Sequence, residues 1–165
     1  MTNRFYNGPP LQRLHDEFAK KYTIDVDAPV RSAVEVEIDA PLARVWELLS
    51  TVDRWTLWNP DVTSVRLDSD VTVDATFTWV SKRARMRSKF AVVDPLRELT
   101  WTGVSMGIKG IHRHILQELP DGRVLARTEE SMASPLLRLI FSERKLRTTL
   151  SEQMARLKQA AEHTG

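Results

Sequence analysis

Cysteine is absent from the 165 residues, which rules out disulfides and thiolate metal sites and fits a reducing cytoplasm. No apolar run is long enough to span a membrane, and Met1-Thr2-Asn3-Arg4-Phe5-Tyr6 lacks the apolar core of a signal peptide, so membrane insertion is not expected. Charge of one sign is scarce too. The 24 basic and 22 acidic side chains leave a net charge of +2, which gives no reason to expect a nucleic-acid partner. The six glycines form no glycine-rich phosphate loop, and there is neither an HExxH pair nor a serine in a nucleophile elbow. No nucleotide, metal or other cofactor is therefore expected. What is present is ordinary for a globular chain: 42% hydrophobic and 28% charged residues, in one domain able to bury about 70% of its unfolded surface.

Three of the five tryptophans fall between Trp46 and Trp58, and the chain is organised around that stretch. Ile38-Asp39-Ala40-Pro41 reads as the end of a strand and the start of a helix, with Asp39 expected to cap the first turn and Pro41 tolerated inside it. Leu42, Val45, Trp46 and Leu49 recur at helical spacing, so one face of that helix is buried. A second short helix carries Trp55 and Trp58 and should end near Trp58, because Pro60 keeps Asn59 out of helical conformation.

Residues 1–30 stand apart as a helical extension and linker. After Pro9-Pro10, the residues Leu11, Leu14, Phe18 and Tyr22 form an amphipathic stripe expected to dock on the chain's own domain, while Asp25 to Pro29 reads as extended. Ser32 to Asp39 alternates as a half-buried strand. Six more strand-like runs follow: Val62–Leu67, Val73–Val80, Arg83–Val93, Glu98–Ser105, Ile111–Leu119 and Arg123–Met132. A long helix from Pro135 to Glu162, capped by Ser134, presents Leu136, Leu139, Ile140, Leu146, Leu150, Met154, Leu157 and Ala161 on one face. The expected fold is α+β, a curved seven-stranded antiparallel sheet gripping that helix. Residues 31–165 make up this domain, and the other face of the sheet is left wet.

Several pieces of this sequence together resemble a known family. They are Ile38-Asp39-Ala40-Pro41 with Val45-Trp46, Trp55 with Trp58-Asn59-Pro60, Asp94-Pro95 with Leu99-x-Trp101, and Thr128-Glu129-Glu130-Ser131. The family is the START-like, SRPBCC or polyketide cyclase/dehydrase and lipid-transport superfamily, with its Bet v 1-like helix-grip fold. The resemblance covers about residues 32 to 162. It implies the fold strongly and the function weakly, since similar chains bind lipids, cyclise polyketides, carry steroids or hormones, or activate a chaperone. Asp74 departs from the pattern, standing where many relatives have glycine, and Ser131-Met132-Ala133-Ser134 lacks the glycine often found before the long helix.

Side chains alternate along strands, so each turn sets the parity of the next strand. Val73, Ala75, Phe77 and Trp79 facing inward lead to Ala84, Met86, Ser88 and Phe90, then to Leu99, Trp101 and Gly103, then to His112, His114 and Leu116. A three-residue loop at Pro120-Asp121-Gly122 then places Ala126, Thr128 and Glu130 inward. In this register His112 faces Glu130, His114 faces Thr128, and Trp101 lies beside His114. Aromatic walls with a few polar points suit a small-molecule pocket. The expected ligand-binding residues are Trp55, Trp58, Phe77, Trp79, Met86, Ser88, Phe90, Trp101, His112, His114, Thr128, and Leu146 and Leu150 of the last helix. Core filling is the plainer reading of any single aromatic. Two histidines and a carboxylate are costly in a solid apolar core, however, and favour a hydrated or ligand-filled cavity.

The leading function is therefore binding of a small hydrophobic molecule: a lipid, sterol, isoprenoid or aromatic polyketide. The alternative is a cyclase or dehydratase in which His112 and Glu130 move protons. The favoured reading of that pair is a structural hydrogen bond between strands. His112, His114 and Glu130 also have the ligand types of a two-histidine, one-carboxylate metal site, but no further ligand cluster supports one. A third reading is a co-chaperone-like protein-binding module using the outward stripe Arg83, Arg85, Arg87 and Lys89. Trp55 and Trp58 are candidates either for a lid over the cavity or for core plugs. His15 and His163 read as surface residues.

Overall fold

The alternating segments form the sheet. In the computed structural model, which describes residues 5–163, seven antiparallel strands run in the order β1-β7-β6-β5-β4-β3-β2. They are β1 (Val30–Ile38), β2 (Val62–Leu67), β3 (Thr76–Ser81), β4 (Ala84–Asp94), β5 (Glu98–Ser105), β6 (Ile108–Glu118) and β7 (Val124–Ala133). The helices are α1 (Leu11–Arg13), α2 (Leu42–Ser50), α3 (Leu137–Ile140) and α4 (Glu143–Glu162). The residues of the signal-peptide reading before Phe5 lie outside the described part. Among the described residues no helix is long and apolar enough to cross a membrane.

The helix-grip fold is thus present, with three local corrections. First, the last helix starts at Glu143 rather than Pro135. Leu136 is left-handed (φ 63°) and Phe141 is extended, which breaks the path into the short α3 and the long α4. The cap is Ser142, whose hydroxyl accepts from the Lys145 amide, and not Ser134. Second, Asp39 does not cap α2; Pro41 is the cap residue, and the Asp39 amide instead donates to Glu162 Oε1 at 2.8 Å. Third, Val73 lies outside the strands and is exposed, since β3 begins only at Thr76.

Tight turns hold the hairpins together. Lys82 and Arg83 (φ 48° and 69°) link β3 to β4, and Met106 and Gly107 (φ 49° and 75°) link β5 to β6. Two left-handed central residues match the right-handed twist of the strands they join. Between β4 and β5 a bulge at Ala91 shifts the register, and the shift is cancelled by the odd-length Pro95-Leu96-Arg97 turn. Trp101 therefore still pairs with Phe90 and Leu99 with Val93.

On the concave face, α4 buries Leu146, Leu150, Met154, Leu157 and Ala161. Its C-terminal half packs with Val45 and Leu49 of α2 and with Leu116, Val124 and Ala126. The convex face is not wholly wet, contrary to expectation. Leu14 and Ala19 pack on Ala91 and Ile111 of that face. His15, read as a surface residue, is 1% exposed. It lies four residues after Leu11 and one after Leu14, so it falls within the same apolar stripe. Its Nδ1 lies 2.7 Å from Thr102 Oγ1 and its Nε2 2.9 Å from Asp74 Oδ1. Asp74 adopts the left-handed conformation (φ 69°) that a glycine there would take, and Lys20 also pairs with it at 2.8 Å. His163, by contrast, is exposed. Farther along the convex face, Glu98, Arg113, Glu129, Arg127 and Glu35 form a charge ladder across four strands.

Candidate functional site

The two ends of the sheet's concave surface differ. One end is solid. Trp55, from the 3₁₀ turn Val52–Leu57, inserts its indole between Phe77, Trp79 and Trp101 at ring-centre distances of 6.0, 5.3 and 5.2 Å. Its Nε1 donates to the Leu49 carbonyl at 3.0 Å. Phe77 stacks on Phe90 at 4.4 Å. At the other end a cavity of about 320 Å³ opens between the sheet and the first half of α4.

The cavity wall contains Trp79, Met86, Ser88, Trp101, His112, Glu130, Leu146 and Leu150 of the residues expected from sequence. The structure does not bring Trp55, Trp58, Phe77, Phe90, His114 and Thr128 to that wall. Trp55, Phe77 and Phe90 form the aromatic plug itself, and Trp58 is half-buried between two core clusters. The lid reading of the tryptophan pair is corrected accordingly: the mouth is flanked by Asn59, Asp61, Lys82 and Met106, and Trp55 is a core plug. Among wall residues that the sequence reading missed, Met132 follows Glu130 at the inward parity and was within reach of it. Thr149 and Gln153 lie beside the Leu146–Leu150 stripe at helical spacing. Phe141 had no signal, because it belongs to the break between α3 and α4.

The polar points gather on β4, β6 and β7. His112 pairs in register with Glu130, and His114 with Thr128, as the turn argument requires. His112 Nε2 lies 2.9 Å from Thr128 Oγ1, and its Nδ1 lies 3.5 Å from Glu130 Oε2. Trp101 is opposite His112 (ring centres 4.7 Å apart) and is also 5.3 Å from His114, whose ring stacks on His112 at 4.5 Å. Trp79 Nε1 donates to Ser88 Oγ at 3.0 Å, which leaves the serine hydroxyl hydrogen free to point into the cavity.

Burial sets the protonation of this wall. No lysine or arginine pairs with Glu130 among the described residues, and desolvation pushes its carboxyl up to about 8. Desolvation drives His112 well below its ordinary value, helped by neighbouring His114. His114 is pushed down to about 3 by burial alone. At neutral pH the wall therefore holds a neutral acid and one neutral imidazole, His112, with a second neutral imidazole, His114, packed behind it. His112 bridges the two polar neighbours, its Nδ1 facing Glu130 and its Nε2 facing the Thr128 hydroxyl. His114 has both ring nitrogens buried without a partner among the described residues. Among the described residues no three His, Cys, Asp or Glu side chains converge as a metal site. What the wall offers chemically is a hydrogen-bond donor from a carboxylic acid, with an imidazole able to return the proton.

Residues 29–162 match the profile of the family described as polyketide cyclase/dehydrase and lipid transport. No curated protein matches the sequence. Among solved structures, a hypothetical protein from Helicobacter pylori is similar at TM-score 0.75 and 13% identity, over 98% of both chains. A START superfamily protein from Mycobacterium smegmatis is similar at TM-score 0.66 and 12% identity, over 80% of this chain and 97% of its own. A protein of the dynemicin biosynthetic locus is similar at TM-score 0.62 and 16% identity, over 78% of this chain and 46% of its own. At these identities the likeness is one of fold.

Proposed function

The chain belongs to the polyketide cyclase/dehydrase and lipid-transport family, and from that premise we propose that it binds a small, uncharged, largely apolar molecule with an oxygen acceptor at one end. The observation that carries this reading is the cavity of about 320 Å³ whose sheet side carries the neutral polar groups Ser88, His112 and Glu130, with the charged Asp61 and Lys82 at its mouth. Trp79, Met86, Trp101, Leu146 and Leu150 are the apolar contacts in this reading. Glu130 and Ser88 are the donors, with His112 behind Glu130. A ligand carboxylate would face a carboxyl group without a balancing cation, which favours a carbonyl, hydroxyl or ether oxygen instead. A lipid fragment, isoprenoid, sterol portion or aromatic polyketide fits this description, and a cysteine-free chain fits action in the cytoplasm.

Scale supports a loose binder. At about 30 Å³ per carbon-sized group, the volume of a water molecule in the liquid, the cavity holds on the order of ten such groups. At ~0.8 kcal/mol each these give roughly 8 kcal/mol, and association costs leave micromolar affinity or weaker. The test is native mass spectrometry of freshly purified protein together with displacement of an apolar fluorescent probe. A copurified neutral mass and a displaceable probe are expected, with both lost in Met86→Trp, which fills the cavity. A probe that binds equally well to Met86→Trp would place binding elsewhere and overturn the reading.

One observation favours a catalytic second reading. Glu130, His112 and Thr128 form a row of proton-carrying groups leading away from the cavity, with spacings of 3.5 and 2.9 Å. The acid can protonate a carbonyl or a departing hydroxyl of a folded polyketide-like chain, and His112 can restore the proton. His112→Ala should then abolish turnover while sparing probe uptake; a carrier would show only a change in affinity.

A further inference from the structure

The rim of the cavity is built from separate protrusions, and their exposed side chains share a character. On the β5–β6 turn, Met106 is 85% exposed. On α3, which leads into the wall residue Phe141, Leu139 is 78% exposed, Ile140 68% and the preceding Leu136 47%. Leu137 alone turns inward, packing with Leu146 and Leu150 and against Met132 and Phe141. The three other apolar side chains of this stretch face water within a few residues of Phe141, which lines the cavity. Around them the charge is one-sided. From Ser134 to Leu150 there are four basic residues and one acidic residue, Glu143. Arg144, Lys145 and Arg147 are exposed and make no ion pair among the described residues. The β3–β4 turn adds Lys82 and Arg83; the acids nearest it, Asp61 and Glu152, are each already within 4 Å of Lys82.

We propose that this rim is a docking surface for a membrane containing anionic lipid, with Met106, Leu136, Leu139 and Ile140 entering the headgroup layer and the flanking lysines and arginines meeting lipid phosphates. Exposed apolar side chains on separate protrusions around an opening do not form the continuous patch that a protein partner's core packs against. A bilayer suits them, because it accepts apolar tips of any arrangement and its negative surface attracts basic neighbours. The opening then lies over the hydrocarbon from which an apolar ligand would come, so the inference rests on the ligand-binding reading for its purpose but not for its geometry.

The experiment is co-sedimentation of the full chain with vesicles of phosphatidylcholine alone and of phosphatidylcholine with phosphatidylglycerol. Binding to the anionic vesicles should be at least about tenfold tighter and should weaken as salt is raised. Leu139→Asp with Ile140→Asp, and separately Arg144→Glu with Lys145→Glu, should each lower vesicle binding about tenfold or more. Thermal unfolding and uptake of the soluble probe should be unchanged in both. Equal binding to both vesicle types, or unchanged binding by both variants, would overturn the proposal. So would a dimer in size-exclusion chromatography that the Leu139→Asp, Ile140→Asp variant dissolves, because the apolar face would then be a self-association surface. Probe uptake without vesicle binding would remove this inference alone, and vesicle binding without probe uptake would remove the ligand-binding reading alone.

Discussion

Replacing Glu130 with glutamine tests the electrostatics of the cavity wall directly. The carboxyl is raised from 4.5 to about 8 in the folded protein. Between those values the unfolded chain has released a proton that the folded chain retains, so stability falls as pH rises. Below about 4.5 both states are protonated and no loss is present; above about 8 the loss is complete. Each pH unit in the window removes ~1.4 kcal/mol. The side chain keeps 22% of its surface exposed, and screening by solvent lowers the total to a few kcal/mol. Glutamine reproduces the neutral acid in shape and cannot ionise. The variant should match the parent near pH 5 and exceed it at pH 9 by roughly 5–10 °C in Tm, given about 2–4 °C per kcal/mol for a chain of this size. His112 and His114 act in the opposite sense. Their folded values are depressed, so stability is lost as pH falls below about 6.5, and the parent's profile should be bell-shaped with its alkaline side flattened in Glu130→Gln. Thermal unfolding at pH 5, 7 and 9 is the assay. Parallel profiles for the two proteins would refute the reasoning, since they would mean that Glu130 is ionised and compensated in the fold.

Two further outcomes follow from side chains already placed. His114→Phe should stabilise the protein by about 1–3 kcal/mol in urea unfolding, because it removes two buried nitrogens that have no partner, and it should also relieve the acid-side loss. His15→Ala should cost about 2 kcal/mol through the lost contacts to Thr102 and Asp74. It should also speed amide exchange from Leu11 to Lys21 while leaving probe uptake unchanged.

The strand pattern was legible because one face of nearly every strand is apolar. Trp79, Met86, Trp101, His112 and Glu130 all face inward as alternation requires, and the left-handed Gly122 (φ 84°) sets the β6–β7 pairing that joins His112 to Glu130. The Ala91 bulge was invisible to alternation and did no harm only because the following turn cancelled it. Alternation says which side a residue faces but not what fills the space there. Phe77 and Trp79 share a face, yet one is sealed by Trp55 and the other borders the cavity, and that division depends on where a distant 3₁₀ turn drops its indole. His15 was misread although it falls within the helix's apolar stripe, because its partners, Thr102 and Asp74, lie far along the chain.

The left-handed turns have a consequence for how the protein can change. Among the described residues seven other than glycine hold positive φ, and Lys82, Arg83, Met106 and Leu136 of these belong to the protrusions around the mouth. Glycine would relieve each of them of about 1 kcal/mol of backbone strain, and none is glycine. Selection for durability alone would erase those four side chains, so an improved thermal stability and a working rim pull the sequence in opposite directions. A laboratory lineage evolved only for heat resistance should drift toward glycine at these turns, and such a lineage would keep the fold and the cavity while losing the surface that surrounds its opening.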